Sequence, residues 1–267
     1  MFDKKIAIIG CGNIGMAMAK GFKLAKRFPD ENLTVTVKSE RSLARLTDAG
    51  FRALTDNTKA ISEATVLVIA VTPQQIDGLL ASIKESLEPH HTILSVVSGI
   101  SCERIREQLD TTLPIVRVMP NTAAAIGESM TCLAHDGASK EAIALTEELF
   151  GLLGKTVILS EEMMVPATVL CACGTAFFLR AIRAASQGGI EIGFHPDQAI
   201  PMAAQVAKGA AALLSAMENH PETEIDKVTT PKGSTITGLN TMEHQGFSSA
   251  MIQGILASYA KTMQLYS

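Results

Sequence analysis

The first fifteen residues constrain the fold more than any other part of the chain. Lys5–Ile9 is a short run of branched apolar residues, and Gly10-Cys11-Gly12-Asn13-Ile14-Gly15 follows it with glycines in the G-x-G-x-x-G spacing. Asn13–Leu24 then takes up a helical period. Each glycine has a mechanical reason. Gly10 permits a tight turn, Gly12 lets the backbone approach a pyrophosphate, and Gly15 lets the helix pack closely on the strand. The N–H groups that open the helix, at the positive end of its dipole, then face the phosphates. A glycine-rich turn alone is only a turn. With a strand before it and a helix after it, the segment Gly10–Gly15 is expected to bind a dinucleotide.

The same alternation continues through the first half. Leu33–Val37, Val66–Val71, Thr92–Val97, Ile115–Val118, Met130–Ala134 and Lys155–Leu159 are further expected strands. Between them, helical periods run over Leu43–Ala49, Gln74–Ile83, Cys102–Leu109 and Lys140–Leu152. Continuous apolar strands linked by helices make a parallel sheet covered on both faces, a doubly wound α/β domain of Rossmann type. From about Glu161 the period changes and no strand pattern returns. Helices are expected over Met163–Gly188, Pro196–Met217, Pro221–Lys227, Ser234–His244 and Gly246–Gln264, which places a boundary between domains 1–160 and 161–267. Ala203–Ala216 is apolar nearly all round, with Gln205 and Lys208 its strongly polar residues. Such a helix needs burial on several faces, more than about 100 helical residues supply. A second copy of the chain is expected to cover it.

Composition excludes several function classes. A formal charge of −4 gives no electrostatic ground for a nucleic-acid partner. Cys11, Cys102, Cys132, Cys171 and Cys173 are odd in number and lack framework spacing, which argues against a disulfide scaffold and for a reducing compartment. Cys171 and Cys173 form C-x-C with no histidine at ligand spacing, so no metal is expected. No secretory signal opens the sequence, and the uncharged run Val165–Leu179 is shorter than the roughly 20 residues that span a bilayer. The expectation is a cytoplasmic protein without a membrane partner.

The residues after the second strand bear on the choice of nicotinamide cofactor. An NAD site places an acid there for the ribose 2′-hydroxyl. Here the chain reads Val37-Lys38-Ser39-Glu40-Arg41. Lys38, Ser39 and Arg41 suit a 2′-phosphate and favour NADP. Glu40 is an alternative ribose acid that leaves NAD open, and Lys38 and Arg41 also read as ordinary solvated charges.

Asp56-Asn57, Val66-Leu-Val-Ile-Ala70-Val71-Thr72-Pro73-Gln74, Val97-Ser-Gly-Ile100 and Arg117-Val-Met119-Pro120-Asn121-Thr122 carry a resemblance to pyrroline-5-carboxylate reductases. Asp226-Lys-Val-Thr-Thr230-Pro-Lys232-Gly233-Ser234-Thr235-Ile-Thr-Gly238-Leu, the most specific stretch, extends it over residues 6 to about 247. The resemblance implies a cofactor domain at 1–160 and a helical substrate-binding and dimerisation domain at 161–267, in a homodimer or a larger ring of dimers. It implies reduction of 1-pyrroline-5-carboxylate to L-proline with NADPH or NADH. Asn57 would touch the adenosine ribose. Ala70, Val71, Thr72 and Pro73 would line the ribose and pyrophosphate path, and Met119, Pro120 and Asn121 would border the nicotinamide. Thr230, Lys232, Gly233, Ser234 and Thr235 would hold the substrate, because a helix start offers N–H groups to a carboxylate. Thr235 either caps that helix or donates its hydroxyl toward the substrate ring nitrogen.

Two departures fall near that site. Members usually carry Ser-Gly-Ser-Gly-Pro-Ala where this chain has Cys171-Ala-Cys173-Gly174-Thr175-Ala176, and Pro-Gly-Gly where it has Pro231-Lys232-Gly233. None of the six histidines forms an evident pair with an acid, and their places near turns read as solvent-exposed. A ketone reductase needs a proton donor for its developing alkoxide. A protonated cyclic imine is already an electrophile, and positioning suffices. The alternatives are a related reductase acting on another cyclic imine or a small keto acid, and a non-catalytic dinucleotide-binding sensor. The Lys-x-x-x-Asn pair of 3-hydroxyacid dehydrogenases is missing from Gly174–Arg183, which argues against a hydroxyacid substrate.

Overall fold

Ile6–Ile9 (β1) alternates between two hydrophobic cores, and that alternation defines the first half of the fold. In the computed structural model, which describes residues 2–27, 29–217 and 219–266, Ile6 and Ile8 face one apolar cluster while Ala7 and Ile9 face another. The first cluster takes Met18 and Phe22 from α1 (Asn13–Ala25) and Leu149 and Phe150 from α6 (Lys140–Gly151). Phe22 and Phe150 meet edge to face, centroids 6.0 Å apart. The second takes Ala60 and Ile61 from α3 (Asn57–Ser62), Ile76 and Leu80 from α4 (Ile76–Ile83), and Ile105 from α5 (Cys102–Leu109). A strand buried on both faces is what a doubly wound sheet requires.

The remaining strands are β2 (Leu33–Thr36), β3 (Arg52–Leu54), β4 (Val66–Ile69), β5 (Thr92–Ser95), β6 (Ile115–Met119), β7 (Ser129–His135) and β8 (Gly154–Ile158), with α2 (Glu40–Asp48) between β2 and β3. They form one sheet in the order β3-β2-β1-β4-β5-β6-β7-β8. All neighbours are parallel except β6 and β7. A parallel return needs a crossover of a dozen or more residues. The stretch 120–128 holds only a 3-10 turn, Thr122–Ile126, so β7 comes back antiparallel. The expected strands and helices are present, most of them ended one or two residues earlier or later. Two further elements, β3 and α3, are too short for a periodic signal, at three and six residues.

Beyond β8 the described residues are helical: α7 (Met164–Ala167), a π-turn over Thr168–Cys173, α8 (Gly174–Glu191), α9 (Pro196–Met217), α10 (Pro221–Lys227), α11 (Ser234–His244) and α12 (Phe247–Tyr266). Contacts divide the chain into two compact units, 1–172 with 259–267, and 173–258. In the second unit much apolar surface is bare. No residue of 203–216 is buried, and Phe178, Ile192, Val206 and Ile252 all expose more than half their surface. The helical stretch 161–191 is longer than the uncharged run within it, and it and 196–217 are both long and apolar enough, by length and composition, to cross a membrane.

Candidate functional site

The chain reverses its direction across the sheet between β1 and β4, since β2 and β3 lie to one side of β1 and β4 and β5 to the other. Ligands of open α/β sheets bind outside the carboxyl ends of the strands at such a switch point. The loops there are Gly10–Gly12 after β1, Lys38 and Ser39 after β2, Asn57 after β3, and Ala70–Pro73 after β4. Met119, Pro120 and Asn121 stand at the same edge, at the end of β6.

The glycine loop behaves as its spacing demands. Gly10 has φ +94°, and a Cβ there would sit 2.9 Å from the Ala70 carbonyl oxygen. Its N–H donates to Thr36 Oγ1 at 3.1 Å, a tie from the end of β2 that the motif does not announce. A Cβ on Gly15 would lie 2.4 Å from Gly10 O, so the helix can pack on the strand only if this residue lacks a side chain. Gly12 differs: a Cβ there would meet nothing within 4 Å. No protein atom within 4 Å requires that glycine, and the space beside it is open. Gly12 is also the N-cap of α1 and has no side-chain cap, which leaves the first N–H groups of Asn13 and Ile14 open to an anion. The residues present fit a nicotinamide dinucleotide.

Around this cradle the side chains divide into those free for a ligand and those already engaged. Lys38 is exposed. Ser39 caps α2, accepting from Ser42 N at 3.2 Å and donating to Ser42 Oγ at 3.0 Å, so its hydroxyl has local work. Arg41 and Arg45, one turn apart on α2, line a surface hollow of about 490 Å³ with Ser42. Arg45 was no candidate in the sequence. Its charge acts on Cys11 of the glycine loop, whose thiol burial pushes up to about 11 against that charge. The i, i+4 spacing from Arg41 is the signal that could have found it.

Thr72 opens the turn Pro73–Gln75 with a reciprocal capping box to Gln75, and Asn57 is the first residue of α3, capped by Asp56. Met119 and Pro120 are buried. Asn121 is buried and occupied on both sides: Oδ1 accepts from Ala123 N at 2.9 Å, and Nδ2 donates to Cys171 O at 3.0 Å.

The other candidates lie on one loop and the helix after it. Gly233 N donates to Thr230 O at 2.9 Å and closes a four-residue turn with Pro231 second and Lys232 third. Lys232 has φ +58°, a left-handed conformation that costs a residue with a Cβ about 1–2 kcal/mol. A Cβ on Gly233 would lie 2.4 Å from Thr230 Oγ1, so that glycine is demanded by the turn itself. Gly233 is the N-cap of α11 and carries no side-chain cap. Thr235 therefore does not cap the helix: it is the second residue inside it, and its side chain is exposed. The capping alternative falls because the helix starts two residues too early for it.

Two histidines depart from expectation. His91 is buried, its Nδ1 accepting from Glu88 N at 2.9 Å, and burial, then the neighbouring His90, push its pKa down. His90 does pair with an acid, Glu88, at 3.4 Å. Both precede β5, at the sheet edge opposite the glycine loop, so neither changes the expected chemistry.

A family model described as pyrroline-5-carboxylate reductase dimerisation matches residues 161–265, and one described as NADP oxidoreductase, coenzyme F420-dependent, matches residues 5–99. Pyrroline-5-carboxylate reductase 1 of Dictyostelium discoideum is 50% identical over 100% of this chain, which spans about half (51%) of that relative's length. Pyrroline-5-carboxylate reductase 2 of the same organism is 45% identical over 97% of this chain and 92% of its own. Among solved structures, the Streptococcus pyogenes 1-pyrroline-5-carboxylate reductase superposes with a TM-score of 0.85 at 26% identity, over 97% of this chain and 98% of that one. The Plasmodium falciparum pyrroline carboxylate reductase with NADP bound gives 0.89 at 22% identity, over 99% and 98%.

Proposed function

This chain belongs to the pyrroline-5-carboxylate reductase family, and from that premise we propose that it reduces 1-pyrroline-5-carboxylate to L-proline as a cytoplasmic homodimer, with NADPH preferred over NADH. The observation that carries the reading is the cradle at Gly12, where a glycine no protein atom requires meets an uncapped helix start. In this reading residues 1–160 hold the cofactor and residues 161–267 bind the substrate and the second copy.

When bound, the reduced nicotinamide supplies the hydride. The chain's own part is to bind and orient. Open N–H groups at Asn13 and Ile14 hold the pyrophosphate, Asn57 and the stretch Ala70–Pro73 border the riboses, and Met119, Pro120 and Asn121 wall the nicotinamide. The N–H groups of Ser234 and Thr235, at the start of α11, take the substrate carboxylate. In this reading the Thr235 hydroxyl oxygen accepts from the protonated ring nitrogen and orients it. No side chain has to move a proton onto an alkoxide, because the imine carries its proton before reduction.

The direct assay follows NADPH or NADH oxidation with 1-pyrroline-5-carboxylate in parallel reactions. Turnover with NADPH at the lower KM is the expected result, and no turnover with either cofactor would leave a dinucleotide-binding sensor. The cofactor preference rests on the cations after β2. Since Ser39 is engaged as a cap, the 2′-phosphate falls to Lys38, Arg41 and Arg45. Lys38→Ala should weaken NADPH by about 1–2 kcal/mol, the scale of a charge-assisted hydrogen bond, and leave NADH nearly unchanged. Equal losses for both would remove Lys38 from the phosphate site.

The second copy is proposed from the bare apolar surface of α8, α9 and α12. Leaving Val206, Ile252 and their neighbours in water is unfavourable by about 25 cal/mol for each Å². Light scattering at micromolar concentration should return twice the chain mass, and a stable folded monomer would contradict the proposal.

A further inference from the structure

Cys132, on β7, and Cys171, in the π-turn, are 39 positions apart in sequence, yet their sulfurs stand 3.6 Å from each other. We propose that this pair is a modification site for hydroperoxides, at which two thiols become one reversible disulfide that alters the site beside Asn121. Cys132 is buried among Met119, Ala134, Met164 and Ala167, while Cys171 is half-buried at the edge of that cluster. The roles differ accordingly. Cys132 donates its S–H to Cys171, a bond that lowers the Cys171 pKa to about 7 and raises that of Cys132. The thiolate is the reactive form, so Cys171 meets the oxidant first. Burial pushes Cys11 up to about 11 and Cys102 to about 12, which leaves both inert at neutral pH.

The chemistry balances in two steps. The Cys171 thiolate attacks one peroxide oxygen, the O–O bond breaks, and hydroxide leaves while a sulfenic acid forms. Cys132 sulfur then attacks the Cys171 sulfur, the S–O bond breaks, and the departing hydroxide takes the Cys132 proton as water. Overall, two thiols are oxidised and hydrogen peroxide is reduced to two waters; an organic hydroperoxide would leave as its alcohol with one water. A dithiol reductant reverses the bond by exchange.

Closing the sulfurs from 3.6 Å to the roughly 2.05 Å of a disulfide draws the π-turn toward β7. A π-turn is a local bulge in a helix, able to take up such a shift. The carbonyl of Cys171 accepts from Asn121 Nδ2, so the shift is felt at Asn121. This consequence rests on the reading that Asn121 borders the nicotinamide; the disulfide itself does not.

The test treats the full chain with hydrogen peroxide and reads it by intact mass and non-reducing peptide mapping. The expected product has lost two hydrogens, carries one Cys132–Cys171 cross-linked peptide and regains both thiols with dithiothreitol. Its NADPH-oxidation rate falls on treatment and recovers on reduction. Cys132→Ala should stop at a sulfenic or sulfinic acid on Cys171, and Cys171→Ser should prevent oxidation at Cys132. A parent chain that forms no disulfide, or links Cys171 to Cys173 or to another copy, overturns the proposal. A disulfide that leaves the rate unchanged overturns the coupling through Asn121. A chain inactive before treatment refutes the reductase reading alone, because the mass measurement still decides the disulfide.

Discussion

Gly12→Ala should fold like the parent and fail to hold its cofactor, whereas Gly15→Ala should lose stability and cofactor together. The two glycines sit three residues apart in one motif, but a methyl group meets different surroundings at each. At Gly15 it would lie 2.4 Å from the carbonyl oxygen of Gly10, a backbone atom that cannot swing aside. Helix α1 must then lift off β1, which costs about 1–3 kcal/mol, and the loop it carries moves with it. At Gly12 the methyl points into space free of protein within 4 Å, and its φ of −76° suits any residue. The change in stability there stays below about 1 kcal/mol, the difference between N-cap residues. The same methyl occupies the room a pyrophosphate needs, so NADPH affinity should fall more than about tenfold, or ~1.4 kcal/mol. Thermal melting with fluorescence titration of NADPH separates the two. If Gly12→Ala binds NADPH as tightly as the parent, the cradle is not a phosphate site.

That contrast marks how far the sequence carries. The motif named three glycines with three jobs, and the turn at Gly10 and the close helix packing at Gly15 are present because both depend on local backbone geometry, which short-range spacing encodes; the job of Gly12 belongs to the cofactor proposal. The two-sided core was legible for the same reason, because continuous apolar runs joined by helices call for a sheet covered on both faces; the short edge strand β3 and the antiparallel return of β7 were not. What the sequence hid was long-range. The tie from Thr36 to Gly10, the action of the Arg45 charge on Cys11 and the meeting of Cys132 with Cys171 all join residues that only the folded sheet brings together. Spacing rules that read the five cysteines as no scaffold could not see a pair 39 residues apart. The start of α11 at Ser234 is the expected one, and it leaves Thr235 no capping role. Gly233 takes the N-cap of α11, so Thr235 lies inside the helix, and Lys232 holds a left-handed conformation of the kind that favours glycine.

This placement sharpens the test of Thr235. As a cap it would contribute about 1 kcal/mol to stability, and any loss of activity in Thr235→Ala would be entangled with a frayed helix. As the second residue of α11, with an exposed side chain, it contributes little: alanine is the better helix former, and the variant should melt within about 0.5 kcal/mol of the parent or slightly above it. Any effect on turnover then belongs to the hydroxyl. If that hydroxyl orients the imine nitrogen, kcat/KM for 1-pyrroline-5-carboxylate should fall about tenfold or more, the scale of one well-placed hydrogen bond. Affinity for NADPH, measured by fluorescence, should not change, since no cofactor contact is removed. Thr235→Ser restores the hydroxyl on a smaller side chain and should recover most of the rate. A Thr235→Ala chain that turns over at the parent rate would show that the N–H groups at the start of α11 position the substrate without it.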